Sequence, residues 1–191
     1  SHESNRPLIG SHFGQVAQIT EHVFLSSAQP LQDPRIDEMR FDLVISATLE
    51  PPVHLKLTES FPISVDDNPQ ADIGQHFDAV ADRINSEALN GRRVLVYCKA
   101  GVSRSATLVL AYLVKHAGLS LREAHSVCKR RRPFIRPNAG FWRQLCTFEL
   151  SRRGEQSVKM VQSAEDGLIP DLYKDELASG SAGGLCWIAL K

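Results

Sequence analysis

The sequence predicts a single α/β domain whose central, mostly parallel sheet has about five strands and is flanked by helices. Three observations predict this class. Short apolar runs of strand length alternate with longer helical patterns along the chain. The run 94–97 is apolar on both faces, as in a buried parallel strand, and leads through a tight turn into an apolar helix. The 191 residues, 42% of them hydrophobic, are enough for one substantial core.

The strands are predicted from short apolar and β-branched runs. In chain order we expect them at 16–20, 23–25, 41–47, 61–65 and 94–97. The helices are predicted from longer segments with recognisable ends. We expect them at 72–89, ended by Asn90-Gly91; at 104–117, ended by Gly118; from a capping box at Ser120 to before Pro133; and from near Asn138 to Gly154.

Domain organisation follows from these elements and from the composition of the ends. We assign residues 13–154 to the main domain and residues 155–191 to a partly flexible C-terminal extension. Inside the extension, the run 179–184 has the composition of a flexible linker, and the apolar run 185–188 is too short to span a bilayer. We therefore expect no stable membrane insertion.

Charge and cysteine content restrict the function classes. The chain has 22 Lys and Arg against 22 Asp and Glu, so no overall charge attracts it to nucleic acid. Its four cysteines lack the spacing of metal ligands or of a disulfide framework, and no secretory signal is evident. We expect no metal, no cofactor, and a reducing cytoplasmic location that extends to the nucleus. The oligomeric state is left open.

The most informative feature is a cysteine and an arginine that lie six residues apart, Cys98 and Arg104. They enclose a short loop of Lys99, Ala100, Gly101, Val102 and Ser103. A loop of this size turns its backbone N–H groups inward around phosphoryl oxygens, while a guanidinium binds two of them and a thiolate attacks phosphorus. Its position before a helix favours both the anion and the thiolate.

The same spacing occurs a second time, between Cys146 and Arg152. The intervening residues lack glycine, include Glu149 and continue a helical pattern, so we reject this match. We interpret Cys146 and Cys128 as buried small hydrophobic residues.

The Cys98 loop followed by the motif at 132–142, Arg-Pro-Phe-Ile-Arg-Pro-Asn-Ala-Gly-Phe-Trp, resembles an atypical dual-specificity protein phosphatase of the cysteine-dependent tyrosine phosphatase superfamily. The resemblance extends from residue 16 to residue 153, and the run 158–162 is also similar to small members. It implies hydrolysis of phosphotyrosine and phosphoserine or phosphothreonine through a cysteinyl-phosphate intermediate, without a metal. Phosphorylated proteins, with signalling kinases as candidates, are the implied partners.

The resemblance also implies residue roles. Cys98 is the nucleophile, Arg104 binds phosphate, and the backbone of residues 99–104 completes the phosphate site. An aspartate upstream donates the proton to the leaving oxygen; the Asp-x-Pro pattern favours Asp67, with Asp66 as the alternative. Ser105 donates a hydrogen bond to the departing thiolate. Asn138 supports the loop, and it also has the position of a helix N-cap.

Two residues depart from the family pattern and keep other functions open. Tyr97 replaces the usual histidine before the nucleophile, so we expect a less acidic thiol and reduced turnover. A catalytically weak phosphoprotein-binding module is therefore one alternative. Lys99 adds positive charge where many relatives have a small residue, which keeps a phospholipid or phosphoinositide phosphatase as another.

A basic run at 129–132 closes the third predicted helix. Its cations complement the helix dipole in one interpretation, and they attract an acidic phosphopeptide in the other.

Overall fold

The computed structural model describes residues 14–178, in which strands and helices alternate as an α/β fold. The strands are β1 (Ala17–Gln18), β2 (Val23–Ser27), β3 (Leu43–Ala47), β4 (Glu59–Ile63), β5 (Val94–Cys98), β6 (Met160–Ser163) and β7 (Gly167–Pro170). The α-helices are α1 (Phe77–Leu89), α2 (Arg104–His116), α3 (Leu121–Arg131), α4 (Ala139–Arg153) and α5 (Asp171–Ala178). Short 3₁₀ helices lie at Gln29–Gln32, Pro34–Met39 and Gly74–His76.

The central sheet has five strands in the order β1-β2-β5-β3-β4. Only β1 is antiparallel to its neighbour; β2, β5, β3 and β4 run parallel, as the sequence predicts. Strand β5 lies in the middle, and its Val96 pairs with Leu25 on one side and Ile45 on the other. Ligands bind outside the carboxyl ends of strands in such sheets, and Cys98 is the last residue of this central strand.

Alternate side chains of β5 enter two separate cores. Val96 and Cys98 belong to the larger core, which is shared with the apolar residues of α1 to α4. Tyr97 belongs to a smaller core on the opposite face, where Leu31 and Ile36 of the 3₁₀ helices cover the sheet. Burial on both faces explains why the β5 sequence is uniformly apolar.

Several element boundaries differ from those predicted. The first strand pairs over only two residues rather than 16–20, and β4 occupies Glu59–Ile63 rather than 61–65. The first α-helix begins at Phe77, not at residue 72, because the preceding backbone forms a 3₁₀ turn. In that turn the N–H of Gly74 bonds to the side chain of Gln144 instead of to an α-helical carbonyl.

The start of α3 and the end of α4 agree with the prediction. Ser120 and Glu123 form the expected reciprocal capping box at the start of α3. Helix α4 ends at Gly154, which has a left-handed backbone with φ of 75°.

The extension after α4 also contributes to the fold within the described residues. Strands β6 and β7 form an antiparallel pair, and Val158, Ile169 and Tyr173 enter the larger core. The Tyr173 hydroxyl accepts a hydrogen bond of 2.9 Å from the indole N–H of Trp142 in α4. The predicted linker at 179–184 and the apolar run at 185–188 lie outside the described residues.

Within residues 14–178, no helix combines the length and the apolar character needed to cross a membrane.

Candidate active site

The predicted loop is the direct connection between β5 and α2. Cys98 ends the strand and Arg104 begins the helix, so residues 99–103 form the turn between them. Gly101 has a φ of 65°, which favours glycine. A Cβ on Gly101 would lie 2.6 Å from the carbonyl carbon of Ser26 and from the backbone nitrogen of Ser27. The loop therefore needs glycine both for its turn and for its contact with the end of β2.

All five carbonyl groups of residues 99–103 accept hydrogen bonds from other parts of the fold. Backbone N–H groups hold three of them: Ala28 donates to Lys99 at 3.2 Å, Arg136 to Val102 at 2.7 Å, and Thr107 to Ser103 at 2.9 Å. The Thr107 hydroxyl also donates to Ser103, at 2.7 Å. The guanidinium of Arg132 donates to the remaining two carbonyls, those of Gly101 at 2.8 Å and Ala100 at 3.4 Å. These donors come from the segment after β2, from α2 and from the segment between α3 and α4. The loop carbonyls are thus held away from its interior.

The orientation of the carbonyls determines the orientation of the amides. In a trans peptide the C=O and the following N–H point in opposite directions. Bonding each carbonyl outward therefore turns the N–H groups of residues 100–104 toward the inside of the loop. The N–H of Gly101 lies 3.2 Å from the Cys98 sulfur, as this geometry requires. A concave arrangement of N–H groups at a helix N-terminus binds anions.

The Cys98 sulfur lies at the base of this loop, and the residue is 2% exposed. Its Sγ is 3.0 Å from the hydroxyl oxygen of Ser105, in the first turn of α2. The other two cysteines of the described residues lie in different surroundings. Burial raises the pKa of the Cys128 thiol to about 12 and that of Cys146 to about 11, so both remain protonated near neutral pH.

The guanidinium of Arg104 bridges the loop and the segment that carries the two candidate acids. Its Nη1 donates a hydrogen bond of 3.1 Å to the carbonyl of Val65, directly before Asp66. Its Nε is buried and has no hydrogen-bond partner within residues 14–178. Buried N–H groups are normally satisfied in folded proteins. The Nε–H of Arg104 is therefore available to donate a hydrogen bond to a phosphoryl oxygen bound in the loop.

Asp66 and Asp67 both lie on an exposed segment after β4. They differ in their contacts, because the Asn138 Nδ2 donates a hydrogen bond of 2.9 Å to one carboxyl oxygen of Asp67. Asn138 also caps α4 by accepting from the N–H of Phe141, and its own N–H bonds to the hydroxyl of Ser103 in the loop. Asn138 therefore contacts the loop, the first turn of α4 and Asp67 at the same time.

Helix α4 holds the segment 66–76, which we call the acid loop, by two further features. The Gln144 side chain accepts a hydrogen bond from the N–H of Gly74 at 2.7 Å and donates one to the carbonyl of Ala71 at 2.9 Å. At Gly140 the backbone of Pro69 approaches so closely that a Cβ would overlap its carbonyl. The acid loop is thus packed directly on α4.

The two residues that depart from the family pattern have polar partners outside the loop. The Tyr97 hydroxyl accepts a hydrogen bond of 2.9 Å from the N–H of Val53, and its ring lies in the smaller core. The Lys99 ammonium lies 3.4 Å from a carboxyl oxygen of Glu50, and both side chains are mostly exposed. Glu50 therefore offsets the positive charge of Lys99 beside the loop.

The rejected Cys146–Arg152 pair is part of a regular helix. Both residues lie in α4, where the Cys146 thiol donates to the carbonyl of Val158 and Arg152 forms an ion pair with Asp78 at 2.6 Å.

Arg132 was not predicted as a site residue, and it takes neither of the roles considered for the basic run. It is 2% exposed, so it is not available to attract a peptide, and its guanidinium bonds to the Cys98 loop. The sequence signal is its place at the start of the 132–142 motif. Gln144, which lies just after that motif, was missed as well, because nothing local distinguishes it from other helical glutamines.

Comparison with known proteins supports the same conclusion. Residues 23–151 match the family model described as dual specificity phosphatase, catalytic domain. The chain is 46% identical to mouse dual specificity protein phosphatase 14 over 165 residues, which cover 85% of this chain and 83% of that protein. It is 38% identical to human dual specificity protein phosphatase 18 over 166 residues, 85% of this chain and 87% of that protein. The crystal structure of human DUSP28 is similar with a TM-score of 0.68 and 30% identity, over 71% of this chain and 93% of that chain.

The chain therefore belongs to the dual-specificity phosphatase family, within the tyrosine phosphatase superfamily, and is a protein phosphatase. This confirms the fold and the class of enzyme predicted from the sequence. Membership of this family implies phosphorylated proteins as substrates.

Proposed function

We propose that the protein hydrolyses phosphotyrosine and phosphoserine or phosphothreonine through a phosphocysteine formed on Cys98. The observation that carries this proposal is the set of five outward-bonded carbonyls, which turns the loop amides toward the space above the buried sulfur. The amides of residues 99–104 and the guanidinium of Arg104 bind the three phosphoryl oxygens. A guanidinium suits this role because its planar donors bind two oxygens at once.

In the first step the Cys98 thiolate attacks phosphorus, and an S–P bond forms as the bond from phosphorus to the substrate oxygen breaks. Asp67, in its protonated form, donates a proton to that oxygen, which leaves as the alcohol or phenol. The loop amides and Arg104 stabilise the charge that develops on the phosphoryl oxygens.

In the second step water attacks the phosphocysteine. Asp67, now a carboxylate, accepts a proton from that water as the new P–O bond forms, and the S–P bond breaks. The electron pair returns to sulfur as a thiolate, and inorganic phosphate leaves. The hydroxyl of Ser105 lies 3.0 Å from Sγ, which supports its role as the donor that stabilises this thiolate.

Asp67 is preferred over Asp66 as the acid because of its contact with Asn138. A hydrogen bond donated to one carboxyl oxygen fixes the orientation of the group and leaves the other oxygen to carry the transferred proton. Asn138 also bonds to the hydroxyl of Ser103, so it connects the Asp67 carboxyl group to the loop of residues 99–103, which we call the phosphate loop.

For the substrate we favour phosphoproteins, with signalling kinases among them, over phospholipids. The pairing of Lys99 with Glu50 supports this choice, because the carboxylate would repel the additional phosphates of a phosphoinositide. A thiolate nucleophile needs reducing conditions, so we propose that the protein acts in the cytoplasm, and in the nucleus as well.

The test compares the parent protein with Cys98→Ser, Asp67→Asn and Asp66→Asn on an aryl phosphate and on a phosphotyrosine peptide. We expect Cys98→Ser to abolish phosphate release and Asp67→Asn to reduce it by about 100-fold or more, as for loss of a general acid. Asp66→Asn is the matched control and should retain most activity.

Turnover that survives in Cys98→Ser would reject the mechanism. A larger loss in Asp66→Asn than in Asp67→Asn would reverse the assignment of the acid. A parent protein that binds phosphopeptide without releasing phosphate would be the binding module instead.

A further inference from the structure

Arg132 lies behind the phosphate loop rather than inside it. It follows α3 directly, and the residue is 2% exposed even though it carries a guanidinium. Arginine is rarely buried to this extent without specific partners. Its three nitrogens donate to the carbonyls of Gly101 at 2.8 Å, Gln15 at 2.8 Å and Ala100 at 3.4 Å.

Two of these carbonyls belong to the centre of the loop. The Ala100 carbonyl shares its peptide unit with the N–H of Gly101, and the Gly101 carbonyl shares its unit with the N–H of Val102. Because the two groups of a trans peptide point in opposite directions, Arg132 determines where both N–H groups point. The N–H of Gly101 lies 3.2 Å from the Cys98 sulfur, which agrees with this orientation.

The other loop carbonyls are held by different donors. Backbone N–H groups of Ala28, Arg136 and Thr107 bond to residues 99, 102 and 103. Those donors are supplied by the fold whatever side chain is present. At the centre of the loop a side chain supplies the bonds, so these two peptide units depend on the identity of one residue.

The charge of Arg132 adds an electrostatic effect. Burial lowers the pKa of Arg132 to about 10, and the negative charge of a Cys98 thiolate acts in the opposite direction. The interaction is mutual, so a charged guanidinium behind the loop favours the thiolate. Other charged groups on the surrounding elements include Arg104 on α2, Arg131 at the end of α3, Arg136 in the segment after α3, Lys99 with its partner Glu50 beside the loop, and the aspartates of the acid loop.

We infer that Arg132 is a positioning residue of the phosphate site, which orients the amides of Gly101 and Val102 toward the substrate and favours the thiolate of Cys98. This rests on the proposed function, in which those amides bind phosphoryl oxygens. Arg132 does not touch the substrate and acts through the loop.

The experiment separates the charge of Arg132 from its geometry. Arg132→Gln removes the charge, whereas Arg132→Lys keeps a charge but cannot bridge two carbonyls with one rigid group. Arg131→Gln, at the exposed neighbouring position, is the matched control. For each protein we would measure the pH dependence of Cys98 alkylation by iodoacetamide, resolved by peptide mass spectrometry, together with the affinity for tungstate as a phosphate mimic and kcat/KM.

Arg132→Gln should shift the midpoint of Cys98 alkylation to higher pH and weaken tungstate binding by about tenfold or more, the usual scale for a lost charged donor. Arg132→Lys should shift the alkylation midpoint less than Arg132→Gln does, while its tungstate affinity and kcat/KM each fall by about tenfold. Arg131→Gln should match the parent in all three measurements.

An Arg132→Gln protein that melts cooperatively and has the alkylation midpoint and tungstate affinity of the parent would overturn the inference. If Arg132→Gln fails to fold, Arg132→Lys decides, and unchanged tungstate affinity and kcat/KM in that variant would overturn it. Alkylation and tungstate binding need no turnover. A parent that releases no phosphate would therefore count against the proposed function and leave the test of Arg132 intact.

Discussion

Gln144 offers a test of whether α4 positions the acid loop for the proton donation that we propose for Asp67. Its side chain makes two hydrogen bonds to the acid-loop backbone, at Gly74 and at Ala71. The variant Gln144→Ala removes both and leaves Asp67 and its contact with Asn138 chemically unchanged. We expect the acid loop of this variant to leave its position above the phosphate site more often.

The size of the effect follows from the two bonds. A hydrogen bond contributes about 1 kcal/mol net to the stability of an arrangement, so the pair contributes about 2 kcal/mol. Since about 1.4 kcal/mol corresponds to a factor of ten, the population of the correctly placed loop falls by up to about 30-fold. The expected loss of acid catalysis is therefore at most about 30-fold, and it reaches that limit when the acid loop of the variant is mostly displaced.

The assay uses leaving groups of different basicity. The phenol of tyrosine has a pKa of about 10 and needs a proton as it leaves, whereas a strongly acidic phenol leaves as its anion. The value of kcat/KM reports the steps up to formation of the phosphocysteine. For Gln144→Ala it should fall by up to about 30-fold with a phosphotyrosine peptide. With a fluorinated aryl phosphate, whose phenol is strongly acidic, it should fall by a much smaller factor.

Arg143→Ala is the control, because this exposed neighbour lies on the same helix. Combining Gln144→Ala with Asp67→Asn gives a second control, since Gln144 should have no further effect once the acid is absent. Equal losses with both substrates would show that Gln144 supports the site in general and would refute a specific effect on proton transfer. No loss with either substrate would refute it as well.

Two more predictions concern buried residues of the two cores. Burial, with Lys129 and Arg122 nearby, lowers the pKa of His125 to about 3, so between that value and about pH 6.5 the unfolded chain binds a proton that the native state does not. The parent therefore loses about 2 kcal/mol of unfolding free energy through His125 when the pH falls from 7 to 5. The variant His125→Phe lacks this group, so its unfolding free energy, measured by urea titration, should fall by about 2 kcal/mol less over the same range. Equal losses would contradict this. Tyr97→His should lower the midpoint pH of Cys98 alkylation and raise turnover, and unchanged values for both would show that Tyr97 does not limit the enzyme.

The sequence alone was sufficient to predict features that depend on residues adjacent to one another in the chain. The apolar run of β5, the glycine turn and the following helix are consecutive in the chain, so their connection and the position of Cys98 could be predicted. The capping box at Ser120 and the glycine end of α4 are local for the same reason. The choice of Asp67 as the acid, from the Asp-x-Pro pattern, stays a prediction; the structure adds that Asp67 is the aspartate that contacts Asn138.

The sequence alone was not sufficient to predict features that depend on contacts between segments far apart in the chain. Arg132 is part of a basic run, and only the fold distinguishes it from Arg131 by burying it against the loop. Gln144 contacts backbone groups about 70 positions earlier in the chain, as the separations of 70 and 73 residues show. The 3₁₀ turn before α1 depends on the same side chain, which explains why the helix begins later than its sequence pattern predicts.

The two cysteine–arginine pairs of this chain show why spacing alone does not define a phosphate site. Cys146 and Arg152 lie in α4, where backbone N–H and C=O groups are used by the helix itself. No inward-facing amides are left for an anion there. Between Cys98 and Arg104 the carbonyls bond instead to donors from the segment after β2, from α2 and from the segment between α3 and α4. The amides can face a phosphate because segments distant in the chain hold the carbonyls of residues 99–102, while Thr107 of α2 holds that of Ser103. A cysteine and an arginine at this spacing therefore acquire their chemistry from the domain around them, and for this reason we expect a substitution behind the loop to lower catalysis although it touches neither residue.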